Sequence, residues 1–171
     1  YSNTDARALR MAADLVERGV DAAEVSARVH QSAPPGRLRF FGEALAALEM
    51  RHGGQLVVVE VGPEQFERHG LVGADTEGLV DMPRIIAGVE AVALFSEVEP
   101  GKVKVSLRST GRVNVDGVCS RLGGGGHPHA AGVQLRGSRE QAKTRILPEL
   151  ERLLGELPPL EPPTPAREVR A

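Results

Sequence analysis

The amino-acid sequence predicts an α/β protein: a mixed sheet of about four to five strands, flanked by helices and preceded by a helical linker segment. Two observations predict this class. Up to about residue 52 the apolar residues recur at helical spacing, whereas from Gln55 they form short β-branched runs bounded by glycine and proline. One pair of runs reads as a hairpin and others are separated by helical segments, which predicts a sheet with both antiparallel and parallel pairs.

Composition indicates a folded protein and excludes some functions. The chain has 171 residues, of which 41% are hydrophobic and only 3% aromatic, so we expect an aliphatic core. A formal net charge of -2 argues against binding of duplex DNA through bulk charge, although a local basic pocket is compatible with it. The single Cys119 excludes an internal disulfide. No apolar run approaches the ~20 residues of a membrane span, and we expect a cytoplasmic protein.

The first 52 residues are predicted to form three helices. The first helix is predicted to be capped by Asn3 or Thr4 and to end at Gly19, and the second is predicted to be capped by Asp21. The sequence SAPPG at 32–36 is the best candidate for a linker. The third helix is predicted to run from Arg37 to Arg51 and to end at the sequence HGG. Because the chain begins at Tyr1, not Met, with residues that already read as a helix start, we expect a fragment of a longer protein.

The remainder predicts the α/β unit. The sequence QLVVVEV from Gln55 predicts a buried strand, and helices are predicted over PEQFERHG and over residues 75–88. Two apolar runs flank Glu99-Pro100-Gly101-Lys102, which predicts a β-hairpin with a type II turn. A short helix is predicted over NVDGVCSRLG and a further strand over AAGVQLRG. Ser138 is the predicted cap of a last helix in which Pro148 should cause a kink or a break.

The stretch RLGGGGHPHAAGV, from Arg121 to Val133, raises the main functional question. Four consecutive glycines could be a helix stop followed by a mobile loop. They could also place backbone N–H groups against an anion with no side chain between, with His127 as a further donor. Spacing alone leaves both interpretations open. The stretch does not match a P-loop, because no Lys-Ser/Thr follows it.

Arg108 is the second candidate for anion binding. Strict alternation in VKVSLRS puts Val103, Val105 and Leu107 on one face of a strand and Lys102, Lys104, Ser106 and Arg108 on the other. For Lys102 and Lys104 a solvated polar face is sufficient explanation. Arg108 lies at the strand end, close in sequence to the helix before the glycines, where a guanidinium could hold a phosphate.

The residues indicate no catalytic machinery. His127 and His129 lack further ligands nearby for a metal site, no histidine accompanies an activated nucleophile, and no carboxylate cluster resembles a two-metal centre. The sequence therefore predicts a binding site without catalytic or metal-ligating residues.

The string GGGGHPHAAG resembles the Gly-Gly-Gly-His-x-x-Ala-Ala-Gly signature of the DHH-associated domain, the smaller domain of DHH phosphoesterases. The longer strings KVSLRSTGRVNVDGVCSRLGGGGHPHAAG and ADTEGLVDMPRIIAGVEAVALFSEVEPGKVKVSLRS are most similar to the bacterial oligoribonuclease branch, which also dephosphorylates 3′-phosphoadenosine 5′-phosphate. The opening YSNTDARALRMAADLVERGVD resembles the end of that family's catalytic domain.

The resemblance implies a division of labour between two domains. The family's catalytic Asp and His residues bind two manganese ions in the larger amino-terminal domain, and this chain has no Asp-His-His string. The matching positions imply that Arg108 and the loop Gly124, Gly125, Gly126 and His127 hold the terminal phosphate, base or sugar of a short nucleic acid, assisted by Ser106 and Ser109. The implied ligands are short single-stranded RNA or DNA and a mononucleotide bisphosphate.

The resemblance also implies domain boundaries. Residues 1–35 correspond to the last helices of the catalytic domain, 36–52 to a linker helix, 53–157 to the DHH-associated domain and 158–171 to a disordered proline-rich tail. The missing catalytic domain is then a partner, and a homodimer is left open. Two alternatives are a non-catalytic nucleic-acid-binding module of the alanyl-tRNA synthetase type and a RecJ-like single-strand DNA exonuclease.

Overall fold

Six strands form one mixed sheet with helices on both faces. The computed structural model describes residues 4–158, apart from the side chains of residues 74 and 75. The helices are α1 (Ala6–Glu17), α2 (Ala22–His30), α3 (Pro35–Ala46), α4 (Pro63–His69), α5 (Asp116–Ser120) and α6 (Arg139–Gly155). The strands are β1 (Glu49–Arg51), β2 (Leu56–Val61), β3 (Ala91–Glu99), β4 (Lys102–Ser109), β5 (Gly125–His127) and β6 (Ala130–Arg136). The predicted disorder of the tail falls on residues that lie outside the described range, except Pro158.

The sheet order is β1-β2-β3-β4-β6-β5. Only β2 and β3 are parallel within this sheet, and the long connection between them contains α4. The remaining neighbours are antiparallel, so the predicted mixed sheet is confirmed. The two strands beyond the predicted four are the three-residue edge strands β1 and β5.

The predicted third helix is too long at its carboxyl end. Helix α3 ends at Ala46, and Glu49–Arg51 form β1, in which the three residues pair with Leu56–Val58 of β2. The Arg51 Nε group donates a hydrogen bond to Glu151 of α6 at 2.8 Å. Pairing with the edge of β2 therefore overrides the helical periodicity of the sequence.

The helix predicted over residues 75–88 is also wrong. This region forms two 3-10 segments, Gly73–Thr76 and Leu79–Ile85. Gly78, between them, has a φ of 85°, which interrupts a right-handed helix. Pro83 lies inside the second segment and has no backbone N–H to donate to an α-helical ladder.

Side-chain caps fix the ends of three helices. The cap of α1 is Asp5, which accepts from the Ala8 N–H at 2.8 Å, and not the predicted Asn3 or Thr4. The predicted caps Asp21 of α2 and Ser138 of α6 are confirmed. Helix α6 continues through Pro148, so of the two predicted effects of this proline, a kink or a break, the break does not occur.

Two apolar clusters occupy the two faces of the sheet. One lies between the sheet and α5 and α6 and includes residues of β2, β3, β4 and β6. The other joins the opposite face of β2 and β3 to α3, α4 and the 3-10 segment Leu79–Ile85. No buried residue of β4, β5 or β6 belongs to this second cluster. We call the part of that face formed by these three strands the open face.

Cys119 lies in the first cluster and is fully buried. Burial, with a smaller contribution from the Asp116 carboxylate, raises the pKa of its thiol to about 11. The thiol is therefore protonated near neutral pH and acts as a packing residue.

Helices α1 and α2 have apolar side chains but no buried residue. Leu15, Val16, Val25 and Val29 are each at least half exposed and line one apolar groove between the two helices. Within residues 4–158, no helix combines the length and apolar character needed to cross a membrane.

Candidate functional site

Three rows of residues cross the open face from β4 to β5. The pairing register places Arg108, Ala130 and His127 in the first row, and Ser106, Gly132 and Gly125 in the second. The third row contains Lys104 and Gln134, beyond which β5 does not extend. Paired residues lie on the same side of a sheet, so the Cα atoms of Arg108 and His127 are about two strand spacings, or ~10 Å, apart. The fold therefore brings together two residues that are 19 positions apart in the sequence.

Arg108 is held in place by two hydrogen bonds. Its Nε donates to Oδ1 of Asp81 at 3.1 Å and its Nη1 donates to the Leu107 carbonyl oxygen at 3.0 Å. Its Nη2 has no partner among the described residues. Because the side chain is only 27% exposed, the guanidinium is presented in a defined orientation with one nitrogen left for a ligand.

A cleft of about 560 Å³ lies beside Arg108. Lys104, Ser106 and Arg108 form its floor, and the two 3-10 segments with the turn between them form its wall. Asp81 belongs to this wall and contacts both Arg108 and Arg84, in each case at 3.1 Å. The cleft is therefore polar, with two cations, Lys104 and Arg108, on its floor and two carboxylates, Glu77 and Asp81, in its wall.

The glycine stretch is not a mobile loop. Gly125–His127 form β5, and the Gly124 N–H donates to the Cys119 carbonyl oxygen at the end of α5. A Cβ atom at Gly124 would lie 2.3 Å from the Gly132 carbonyl oxygen, and one at Gly126 would lie 2.4 Å from the Ala130 carbonyl oxygen. Two of the glycines are thus required for the close contact between β5 and β6.

Gly125 is different from its two neighbours. The nearest atom to a Cβ atom at Gly125 would be Asp116 Oδ1, at 3.8 Å. Because this is an ordinary van der Waals distance, packing does not explain a glycine at this position. Gly125 lies in the second row, beside Gly132 and in line with Ser106. The absence of side chains here leaves the backbone of two strands accessible to a ligand.

The turn between β5 and β6 is fixed by the residues around it. The Pro128 carbonyl oxygen accepts from the Val115 N–H at 2.9 Å, and the His129 carbonyl oxygen accepts from the Ser109 N–H at 3.0 Å. Since β5 is the last strand of the sheet, alternate N–H groups of Gly125–His127 point away from β6. N–H groups on this side, next to the exposed His127, are placed to bind an anion.

Ser106 and Ser109 have different positions. Ser106 is half-buried on the floor of the cleft, so its hydroxyl can be reached by a ligand there. Ser109 is 1% exposed, and its Oγ accepts hydrogen bonds from the Gly111 and Val113 N–H groups. The prediction that Ser109 assists binding is not supported by this position, because the hydroxyl is occupied in holding the loop after β4.

Asp81 and Lys104 are cleft residues that sequence reasoning missed. Asp81 is 27 positions from Arg108, in a segment predicted as an ordinary helix, so no local pattern indicates their contact. Lys104 lies on the same face of β4 as Arg108, and the alternation of apolar and polar residues in this strand is the signal that could have identified it. Within the described residues, no group of three or more His, Cys, Asp and Glu residues is arranged to hold a metal ion. The donor set present here therefore does not fit a manganese centre.

Comparisons with known proteins agree with this architecture. The DHHA1 domain model matches residues 53–156. The bifunctional oligoribonuclease and PAP phosphatase NrnA of Thermus thermophilus is 37% identical over 150 residues, covering 86% of this chain and 44% of that protein. The protein of the same name from Bacillus subtilis is 26% identical over 156 residues, covering 91% and 48%. The chain thus spans about half the length of these curated relatives.

A solved structure has the same fold. An exopolyphosphatase-related protein from Bacteroides fragilis superimposes with a TM-score of 0.80 at 22% identity, over 91% of this chain and 47% of that one. The domain match covers more than half of the chain and includes strands β2 to β6. The chain therefore belongs to the DHHA1 domain family, and the two curated relatives described above are named bifunctional oligoribonuclease and PAP phosphatase.

Proposed function

We propose that this chain is the substrate-binding part of a phosphoesterase that degrades short oligoribonucleotides and dephosphorylates 3′-phosphoadenosine 5′-phosphate. The observation that carries the proposal is the first row of the open face, in which Arg108 and His127 flank the small residue Ala130. The names of the curated relatives supply the substrate class.

In this proposal the chain holds a phosphate that is not cleaved. Arg108 donates from Nη2, while outward N–H groups of β5 and the ring of His127 donate from the other end of the row. Charged hydrogen bonds of this kind are the stronger ones in proteins. Because Gly125 and Gly132 have no side chains, a ribose or base can lie directly on the open face beside the cleft. These residues orient the substrate, and the bond to be broken lies outside this site.

We further propose that manganese is bound by the amino-terminal half of the curated relatives, which the match to this chain does not cover. When bound, the metal would activate water and stabilise charge on the scissile phosphate. The apolar groove of α1 and α2 supports this arrangement, because Leu15, Val16, Val25 and Val29 would be covered by that half. A domain closing over the cleft would exclude water from the bound nucleotide.

The division between the two halves can be tested by activity. This chain with manganese and a 5′-phosphorylated dinucleotide is expected to show no turnover above the metal-only background, whereas the full-length protein is expected to hydrolyse it. Product formation would be followed by chromatography. Turnover by this chain at a rate near that of the full-length protein would contradict the proposal that the catalytic residues lie elsewhere.

Replacing Arg108 tests the phosphate contact. In the full-length protein, Arg108→Ala is expected to weaken substrate binding by about 1–3 kcal/mol, the range for losing a charged hydrogen bond. This corresponds to a Kd increase of roughly 5- to 150-fold, measured by calorimetry with 3′-phosphoadenosine 5′-phosphate in the presence of a chelator. Arg84→Ala is the matched control, since Arg84 also contacts Asp81 but does not line the cleft. Equal Kd values for the two variants would remove Arg108 from the site.

The glycines provide a second, independent test. Gly125→Ala should leave the free energy of unfolding within about 0.5 kcal/mol of the parent, because the new methyl group has space. It should nevertheless weaken binding by about tenfold, because the methyl group separates the ligand from the backbone. Gly124→Ala, the comparison variant, should lower stability by about 1–3 kcal/mol through its overlap with Gly132. Thermal unfolding and the same calorimetric titration would measure both effects, and unaltered binding by Gly125→Ala would contradict the proposed close approach.

A further inference from the structure

Lys104 lies where three cavities meet. It lines the cleft beside Arg108, a recess that also contains Ser96, Glu99 and Lys102, and a third recess formed by Gly124 and Gly132. The polar surface beside Arg108 therefore continues along the open face, past Ser106 and toward the hairpin turn at Pro100. A ligand longer than one nucleotide would follow this direction.

Lys104 is also the one lysine of the chain that has no ion pair among the described residues. Lys102 contacts Glu99 at 2.5 Å, and Lys143 contacts both Glu60 and Glu140. The Lys104 ammonium is exposed and its charge is not neutralised by a neighbour. An unpaired, solvent-accessible cation beside a polar cleft is suited to an anionic ligand.

The neighbours of Lys104 add hydrogen-bonding groups. Ser96 of β3 and Gln134 of β6 pair with Lys104 on either side. Continued by one strand onto β3, the third row therefore carries a hydroxyl, an ammonium and an amide. The Ser96 Oγ is buried and has no hydrogen-bond partner among the described residues. A buried hydroxyl without a partner is costly, and a ligand or an ordered water in the recess would satisfy it.

The first and third rows are separated by the second row, whose members Ser106, Gly132 and Gly125 are all small. Along β4 the Cα atoms of Arg108 and Lys104 are about 13 Å apart, four residues at ~3.3 Å each. Arg108 and Lys104 thus lie on either side of a surface that has only small side chains. This pattern suits an oligonucleotide that places one phosphate at the first row, one phosphate at the third row, and a sugar or base between them.

On the basis of the proposed function, we propose that the third row, Ser96, Lys104 and Gln134, binds an additional phosphodiester of oligonucleotides that contain three or more nucleotides. The phosphate that is cleaved must lie at the metal centre. A 5′-phosphorylated dinucleotide, like 3′-phosphoadenosine 5′-phosphate, then has one further phosphate, which the first row takes. A 5′-phosphorylated trinucleotide has one more, and Lys104 binds it.

The test is the preference of the full-length protein for a trinucleotide over a dinucleotide, expressed as the ratio of the two kcat/KM values. In Lys104→Gln this ratio should fall roughly 5- to 20-fold, as expected for losing one partly exposed charged contact. Lys104→Arg, which keeps the charge, should retain a ratio near that of the parent. Lys143→Gln is the control: Lys143 lies on α6, lines none of the three cavities and is already paired with Glu60 and Glu140, so its ratio should also stay near that of the parent.

The salt dependence of binding distinguishes the loss of a charged contact from a general effect of the substitution on folding. For a trinucleotide bound in the presence of a chelator, Lys104→Gln should reduce the slope of log Kd against log salt by up to about 0.7, the value for one single-strand phosphate contact. An unchanged ratio and slope in Lys104→Gln would overturn the third-row site. If Arg108→Ala also had no effect on either substrate, the proposed function itself would fail. A loss in Lys104→Gln that is equal for both substrates would place Lys104 with Arg108 in the first phosphate site and would likewise overturn the inference.

Discussion

The contact between β5 and β6 is the constraint on which the binding surface depends. The two strands approach so closely that a Cβ atom at Gly124 or Gly126 would overlap carbonyl oxygens of β6. Hydrogen bonds from Val115 and Ser109 fix the turn that joins the strands. Because this edge is rigid, His127 and the outward N–H groups of β5 stay at a defined distance from Arg108. A mobile loop would have to lose conformational entropy on binding, and this arrangement has lost it already on folding.

Uneven coverage of the sheet then determines where a ligand can bind. One face is covered by α5 and α6 along most of its width, whereas on the other face α3, α4 and the 3-10 segments cover β2 and β3 only. The boundary between covered and uncovered strands forms the cleft. Asp81 lies on that boundary and orients Arg108 from the wall, while Lys104 extends the cationic floor. The position of the site is thus a consequence of where the second apolar cluster ends.

The sequence predicted the features whose signals are local. The β-branched run of β2, the Pro100-Gly101 turn and the alternation that singles out Arg108 need only neighbouring residues to be recognised. The strands β1 and β5 were missed because three residues form a strand only through pairing with a partner elsewhere, and glycine has no intrinsic strand preference. The contact of Asp81 with Arg108 depends on a 3-10 segment, whereas the local sequence pattern predicts an α-helix there. The resemblance to DHH phosphoesterases supplied the functional class, which spacing alone left open.

The most direct measurement of the central claim is a map of amide and arginine Nε–H chemical shifts in the full-length protein, recorded during titration with 3′-phosphoadenosine 5′-phosphate. If the open face is the nucleotide-binding surface, the largest changes will be at Gly125, Gly126 and His127 and at the Arg108 side chain. Changes concentrated instead at the charged cleft lined by Glu60, Glu97 and Arg139, with β5 unaffected, would contradict it.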